Sequence, residues 1–163
     1  MGLSEKDNPL EGIAVVIEAD SKQPVLVQGA ASDEVTAKAE KETKRILVVE
    51  DEEGIVKLVK MYLEHHRYEV VIANDGQEGL EKAKTEKPDL IVLDLMLPKI
   101  SGYKVCGLLK KDTRYAKTPV ILFTAKAQEE DVKLGQEVGA DAYIIKPFEP
   151  ETLLAKIKEL LKE

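Results

Sequence analysis

The sequence predicts a parallel α/β fold, one sheet with helices on both faces. Two observations carry that prediction. From residue 44 onward, short β-branched runs alternate with longer stretches whose apolar residues recur at helical spacing, the pattern of alternating strands and helices. The short runs are apolar from end to end, as strands are when both faces of their sheet are covered. Five such pairs follow one another, and right-handed crossovers would lay them down as a doubly wound, five-stranded parallel sheet.

Taken in order, Arg45–Val49 (RILVV) reads as the first strand, and Ile55, Val56, Leu58, Val59, Tyr62 and Leu63 give the next helix its apolar face. Residues 68–73 form the second strand. Gly79, Leu80 and Ala83 mark a helix that stops before Lys87 and Pro88, where proline disfavours continuation. Residues 89–93 begin the third strand and a helix runs over about 103–111. A strand at 120–123, a helix at 129–138, a strand at 142–145 and a helix after Pro150 complete the series. Asp75-Gly76 and Ser101-Gly102 read as turns. His65 and His66 close the first helix with no ligand pattern beside them and are read as helix-end or solvated residues.

The first 43 residues stand apart. Residues 12–19 (GIAVVIEA) and 24–28 (PVLVQ) are spaced to pair as a β-hairpin, which is marginal on its own in water. Residues 32–44, rich in Ala, Glu and Lys, read as a solvated helix or semi-rigid linker. The chain therefore divides into an extension, 1–43, and a domain, 44–163.

Composition bounds the function. A chain of 163 residues holds one ordinary domain and a small appendage, and 44% hydrophobic with 34% charged residues is globular composition. Acidic residues outnumber basic ones 31 to 24, and the net charge of −7 argues against a nucleic-acid-binding surface. The single cysteine, Cys106, has no internal partner and reads as a small buried hydrophobe in a reducing compartment. No apolar signal core opens the chain, and the longest apolar stretch, 90–98, is broken by Asp94 and falls short of the roughly 20 residues a membrane helix needs. A soluble, cytoplasmic protein is expected. Neither a G-x-x-x-x-G-K-[ST] loop nor a G-x-G-x-x-G after a strand is present, which argues against nucleotide-driven enzymes. The absence of Trp and an aromatic content of 4% disfavour a flavin protein.

In open parallel sheets ligands bind beyond the carboxyl ends of the strands. Glu50 and Asp51 follow the first strand, Asp94 the third, Thr124 the fourth, and Lys146-Pro147 the fifth. Three carboxylates brought together raise one another's pKa unless a cation relieves them. Mg²⁺ takes carboxylate oxygens and leaves room for a phosphate. Asp94 lies between the apolar runs LIVL and LML, where a charge is costly without a function, and a carboxylate there can act as nucleophile toward phosphorus. Thr124 supplies a hydroxyl donor and Lys146 an ammonium for phosphoryl oxygens.

With ILVVED at 46–51, IVLDLMLPKISG at 91–102, TPVILFTA at 118–125 and GADAYIIKPF at 139–148, the chain resembles the response-regulator receiver domains of two-component signal transduction, over about residues 44–163. The resemblance implies a flavodoxin-like strand order of 2-1-3-4-5, the order of chemotaxis regulators. It implies phosphorylation of Asp94 by a histidine kinase or phosphotransfer protein, with Thr124 and Lys146 contacting the phosphoryl group. Mg²⁺ would be held by Asp51 and Asp94, by Glu50 through water, and by the backbone carbonyl of Met96. It further implies a cis Lys146-Pro147 bond and an aromatic switch at Tyr143, a residue that in isolation reads equally as a core aromatic. Output would be a conformational change sensed by a downstream protein, so the chain would be a phosphoacceptor promoting its own phosphorylation and dephosphorylation rather than an enzyme on other substrates. Ala142 stands where the winged-helix transcription-factor branch usually has an acid, which argues against that branch's phosphorylation-induced dimer face, and a weak homodimer is the remaining oligomeric expectation. Met96 cannot orient a water, and Lys126 stands where it would block one, so slow loss of the phosphoryl group is expected. A stand-alone regulator is favoured, and the alternative is an adapter that docks through its N-terminal hairpin.

Overall fold

A computed structural model describes residues 14–16 and 43–163. The strands are β1 (Ala14–Val16), β2 (Arg45–Val49), β3 (Glu69–Ala73), β4 (Leu90–Leu93), β5 (Val120–Thr124) and β6 (Ala142–Ile145). The helices among the described residues are α1 (Glu53–His65), α2 (Gly76–Thr85), α3 (Gly102–Lys111), α4 (Glu129–Glu137) and α5 (Pro150–Leu161). All strand pairs are parallel, in the order β1-β6-β5-β4-β2-β3. The five strands β2 to β6 thus stand in the expected 2-1-3-4-5 arrangement.

Strands β2 to β6 split their side chains between two cores, because successive residues point to opposite faces of a sheet. Leu47, Val49, Ile91, Leu93, Val120, Leu122 and Tyr143 face one side, where Ala83 of α2, Val105, Cys106 and Leu109 of α3, and Val132 of α4 cover them. Ile46, Val48, Leu90, Val92, Ile121, Phe123 and Ile144 face the other, under Val59 and Leu63 of α1 and Leu153, Leu154 and Ile157 of α5. Burying each such side chain contributes about 1.5–3 kcal/mol, so strands that are apolar throughout suit a doubly covered sheet. Leu58, expected on the buried face of α1, is instead 44% exposed.

Three sequence expectations change. The sheet has a sixth strand: the first arm of the expected hairpin contributes β1, which pairs in parallel with β6, while residues 24–28 lie outside the described residues, as do residues 32–42. Asp75-Gly76 and Ser101-Gly102 open helices. The Asp75 and Ser101 side chains accept from the N–H groups of Glu78 and Lys104 as N-caps, and each glycine is the first helical residue. Local chemistry does not separate the two readings, because Asp or Ser followed by Gly suits a turn and a cap equally.

Cys106 is fully buried, with its Sγ 3.6 Å from the Val138 carbonyl oxygen, and burial pushes the thiol up to about 12. The thiolate is the reactive form, so no alkylation by iodoacetamide is expected in native buffer near neutral pH, and full labelling after denaturation. Mass spectrometry of native protein showing rapid modification would contradict this packing. His66 Nδ1 lies 3.0 Å from the Tyr62 carbonyl oxygen at the end of α1, as a helix-end residue would. No helix among the described residues is long and apolar enough to cross a membrane.

Candidate functional site

The polar residues at the strand ends are held by the sheet itself. One residue beyond β2, the Glu50 N–H still donates to the Ala73 carbonyl of β3 at 3.0 Å. Past β4, the Asp94 N–H donates to Val49 at 3.1 Å, and past β6 the Lys146 N–H donates to Thr124 at 2.8 Å. Each of these backbones keeps one bond to a neighbouring strand after the strand proper has ended, so the side chains leave a rigid rim rather than a loop.

On that rim, Glu50, Asp51 and Asp94 each place a carboxylate oxygen within 4.8 Å of the others. Glu50 is 1% and Asp94 4% exposed, whereas Asp51 is exposed to solvent. Lys146 Nζ bridges the two buried members, donating to Glu50 Oε1 at 2.9 Å and to Asp94 Oδ2 at 3.2 Å. The remaining oxygens have backbone donors: the Glu52 N–H reaches Glu50 Oε2 at 2.9 Å and the Met96 N–H reaches Asp94 Oδ1 at 3.1 Å. Three carboxylates against one ammonium leave two negative charges in this corner.

Burial pushes the Glu50 carboxyl above its ordinary value, against the pull of the Lys146 ammonium and the Glu52 N–H. For Lys146, burial works to lower the ammonium's pKa, but the hydrogen bond to Glu50 and the field of Asp94 outweigh it and hold the group above its ordinary value. The Lys146 Nζ also lies 4.9 Å from the centroid of the Phe123 ring, a cation–π position. The Lys146-Pro147 peptide bond is cis.

The other expected site residues lie on β5, on β6 and just past β4. Thr124 is fully buried at the end of β5, and its Oγ1 accepts a long hydrogen bond from the Lys126 N–H at 3.4 Å. Tyr143 is also fully buried, and its hydroxyl donates to the Lys126 carbonyl at 2.9 Å. Met96 exposes its side chain at 59%, and Lys126 is paired with Asp131 at 3.7 Å.

Sequence reasoning missed two contributors. Gly102 is required by space: a Cβ there would sit 2.2 Å from the Asp94 carbonyl oxygen and 2.8 Å from the Leu95 Cα, so only glycine lets the start of α3 press against the Asp94 backbone. Tyr103, the next residue, donates from its hydroxyl to the Asp131 carbonyl at 2.9 Å and so ties α3 to α4. The glycine left a signal in its place after a helix-capping serine, whereas the tyrosine left none, because its partner lies in a different helix.

A family model described as a response regulator receiver domain matches residues 46–158. The alkaline phosphatase synthesis transcriptional regulatory protein PhoP of Bacillus subtilis (strain 168) is 50% identical over 119 residues, which cover 73% of this chain and 49% of that protein. The response regulator ArlR of Staphylococcus saprophyticus is 45% identical over 118 residues, 72% of this chain and 52% of the relative. The chain therefore spans about half the length of the curated relatives it matches. Among solved structures, a CheY-like response regulator receiver domain protein from Methanospirillum hungatei JF-1 superposes with a TM-score of 0.70 at 38% identity, covering 74% of this chain and 95% of that one. The chemotaxis response regulator CheY4 of Vibrio cholerae gives 0.69 at 32%, covering 73% and 99%.

Proposed function

Because the chain belongs to the response regulator receiver domain family, we propose that it takes a phosphoryl group from a histidine kinase or phosphotransfer protein onto Asp94, in the cytoplasm, and signals through a change of shape to a downstream protein. The observation that carries this reading is the bridging of buried Asp94 and Glu50 by Lys146 beside the exposed carboxylate of Asp51. A carboxylate oxygen of Asp94 forms the new bond to phosphorus as the bond from phosphorus to the donor nitrogen breaks, giving an acyl phosphate on the side chain. Lys146 stands within hydrogen-bond distance of the Asp94 carboxylate, where its ammonium would meet phosphoryl oxygens, and the Thr124 hydroxyl is the neighbouring donor on the rim.

The donor set suits Mg²⁺. Its side-chain members are all hard carboxylate oxygens, clustered within 4.8 Å, with two negative charges left uncompensated by Lys146. Asp51 and Asp94 would hold the ion directly, with Glu50 and the Met96 carbonyl assisting. When bound, it neutralises charge on the transferring group and orients it. The test is intact-mass analysis after incubation with Mg²⁺ and acetyl phosphate. One added phosphoryl group that disappears on chelation supports the reading. A folded, Mg²⁺-replete protein that stays unmodified would overturn it and leave the adapter reading.

Two side chains set the lifetime of that group. Met96 offers an attacking water at most a weakly accepting thioether sulfur, and Lys126, two residues beyond Thr124, is paired with Asp131 at 3.7 Å. Slow hydrolysis is therefore expected, with Lys126→Ala faster than wild type; phosphate release within seconds from the wild-type protein would contradict it.

A further inference from the structure

Residues 14–16 precede the region matched by the family, 46–158, yet they complete its sheet. Ala14 stands opposite Ala142, Val15 opposite Tyr143 and Val16 opposite Ile144, all in parallel register. Without β1, β6 would be the sheet edge and would offer a row of unpaired backbone N–H and C=O groups to any extended segment within reach. We propose that the β6 edge is a strand-docking surface whose occupant is the chain's own N-terminal segment around residues 14–16, added in cis and displaceable.

Connection length supports a cis occupant. β1 and β2 are four strand spacings apart in the sheet, about 19 Å at about 4.8 Å per step. The 28 residues 17–44 separate them in sequence, and that many residues reach about 90 Å when extended. Because occupant and edge belong to one chain, this docking is intramolecular and independent of protein concentration, unlike docking of a second copy.

Among the described residues the ladder is three residues long, and a ladder of that length must offset the entropy of closing its own loop, so docked and released forms exchange readily. The register gives docking a consequence for the switch region, since β6 carries Tyr143, and β1 fastens that strand on the side opposite β5. Release would bare the same edge to a second copy or to a partner presenting an extended strand.

The test is hydrogen–deuterium exchange on the full chain, comparing wild type with Ala14→Pro and Val15→Pro. Alternate residues of a parallel strand bond to a given neighbour, and proline is tolerated where the replaced N–H faces solvent. One of the two substitutions therefore removes a donor to β6 and the other does not. The disruptive one is expected to speed exchange at residues 142–145 by about three- to tenfold, the factor that loss of one net hydrogen bond gives. The other should resemble wild type, and residues 46–49 and 90–93 should stay protected in both. Wild-type protection at 142–145 should not depend on protein concentration. Equal behaviour of the two variants, or unchanged exchange in both, would overturn the proposal. So would protection that grows with concentration, which would make a second copy the occupant. None of these readouts involves phosphorylation, so the outcome is separate from that of the phosphoacceptor reading.

Discussion

Asp94→Asn is expected to abolish phosphoryl uptake while leaving the protein folded. The amide keeps the volume and one accepting oxygen, which the Lys146 ammonium takes in preference to the Met96 N–H, but it is neutral and a poor nucleophile, so no covalent adduct forms under conditions that fully modify wild type. Removing one of three crowded carboxylates also relieves repulsion at the rim, so the thermal midpoint should equal or exceed that of wild type. Intact-mass analysis reads the chemistry and calorimetry reads the fold. A phosphorylated Asp94→Asn protein would show that another carboxylate, Asp51 or Glu50, is the acceptor.

Lys146→Met should be the most damaging substitution that preserves side-chain length. It strips the ammonium from Glu50 and Asp94, whose side chains are 1% and 6% exposed. Removing one partner of a buried ion pair typically costs about 3–5 kcal/mol. Asp51 opens this site to water, which places the expected loss near the lower end, about 3 kcal/mol. Phosphoryl uptake should slow by about 10²–10³, as when one preorganised donor to a developing anion is removed.

The loss will depend on pH. The Glu50 carboxyl titrates above its unfolded value because it is buried, so the folded state favours its neutral form and loses stability as pH rises from the unfolded carboxylate range through the raised folded value. In wild type, Lys146 opposes that loss. Its own raised pKa contributes stability that is fully present below the unfolded lysine value and is lost only as pH rises through the folded one. With the ammonium gone, Glu50 moves further up, and the gap between variant and wild type in chelated buffer should widen from about pH 5 to about pH 8. Urea titrations at the two pH values measure that gap. A gap independent of pH would mean that Lys146 contributes packing alone. Mg²⁺ should restore stability to the variant, because it places positive charge in the same corner.

Much of this architecture is legible in the sequence because a doubly covered parallel sheet leaves a coarse mark. RILVV, LIVL, VILFT and AYII are strongly apolar, and the first charged or hydroxylated residues at or just beyond their carboxyl ends are the ones that meet at the rim. Glu50, Asp51, Asp94 and Lys146 can be placed together for that reason. The pairing of β1 cannot, since a short apolar stretch specifies a strand but not which edge it joins. Leu58 falls outside the buried face because 3.6-residue periodicity defines a stripe about the helix without saying where its margin falls. The role of Gly102 escapes the sequence even though its position does not, as the close approach that demands it comes from the Asp94 backbone eight residues earlier.

Tyr143 lies fully buried beneath α4, and a Cβ on Gly135 would come within 3.0 Å of its ring. Its hydroxyl is fastened to the Lys126 carbonyl by a hydrogen bond, worth about 1 kcal/mol net. The phenol therefore acts as a light latch on the segment entering α4. Losing one bond of that size changes the ratio of latched to unlatched molecules by about fivefold. That bond is small beside the burial of the ring itself, about 1.5–3 kcal/mol, so packing under α4, more than the latch, holds the phenol in place.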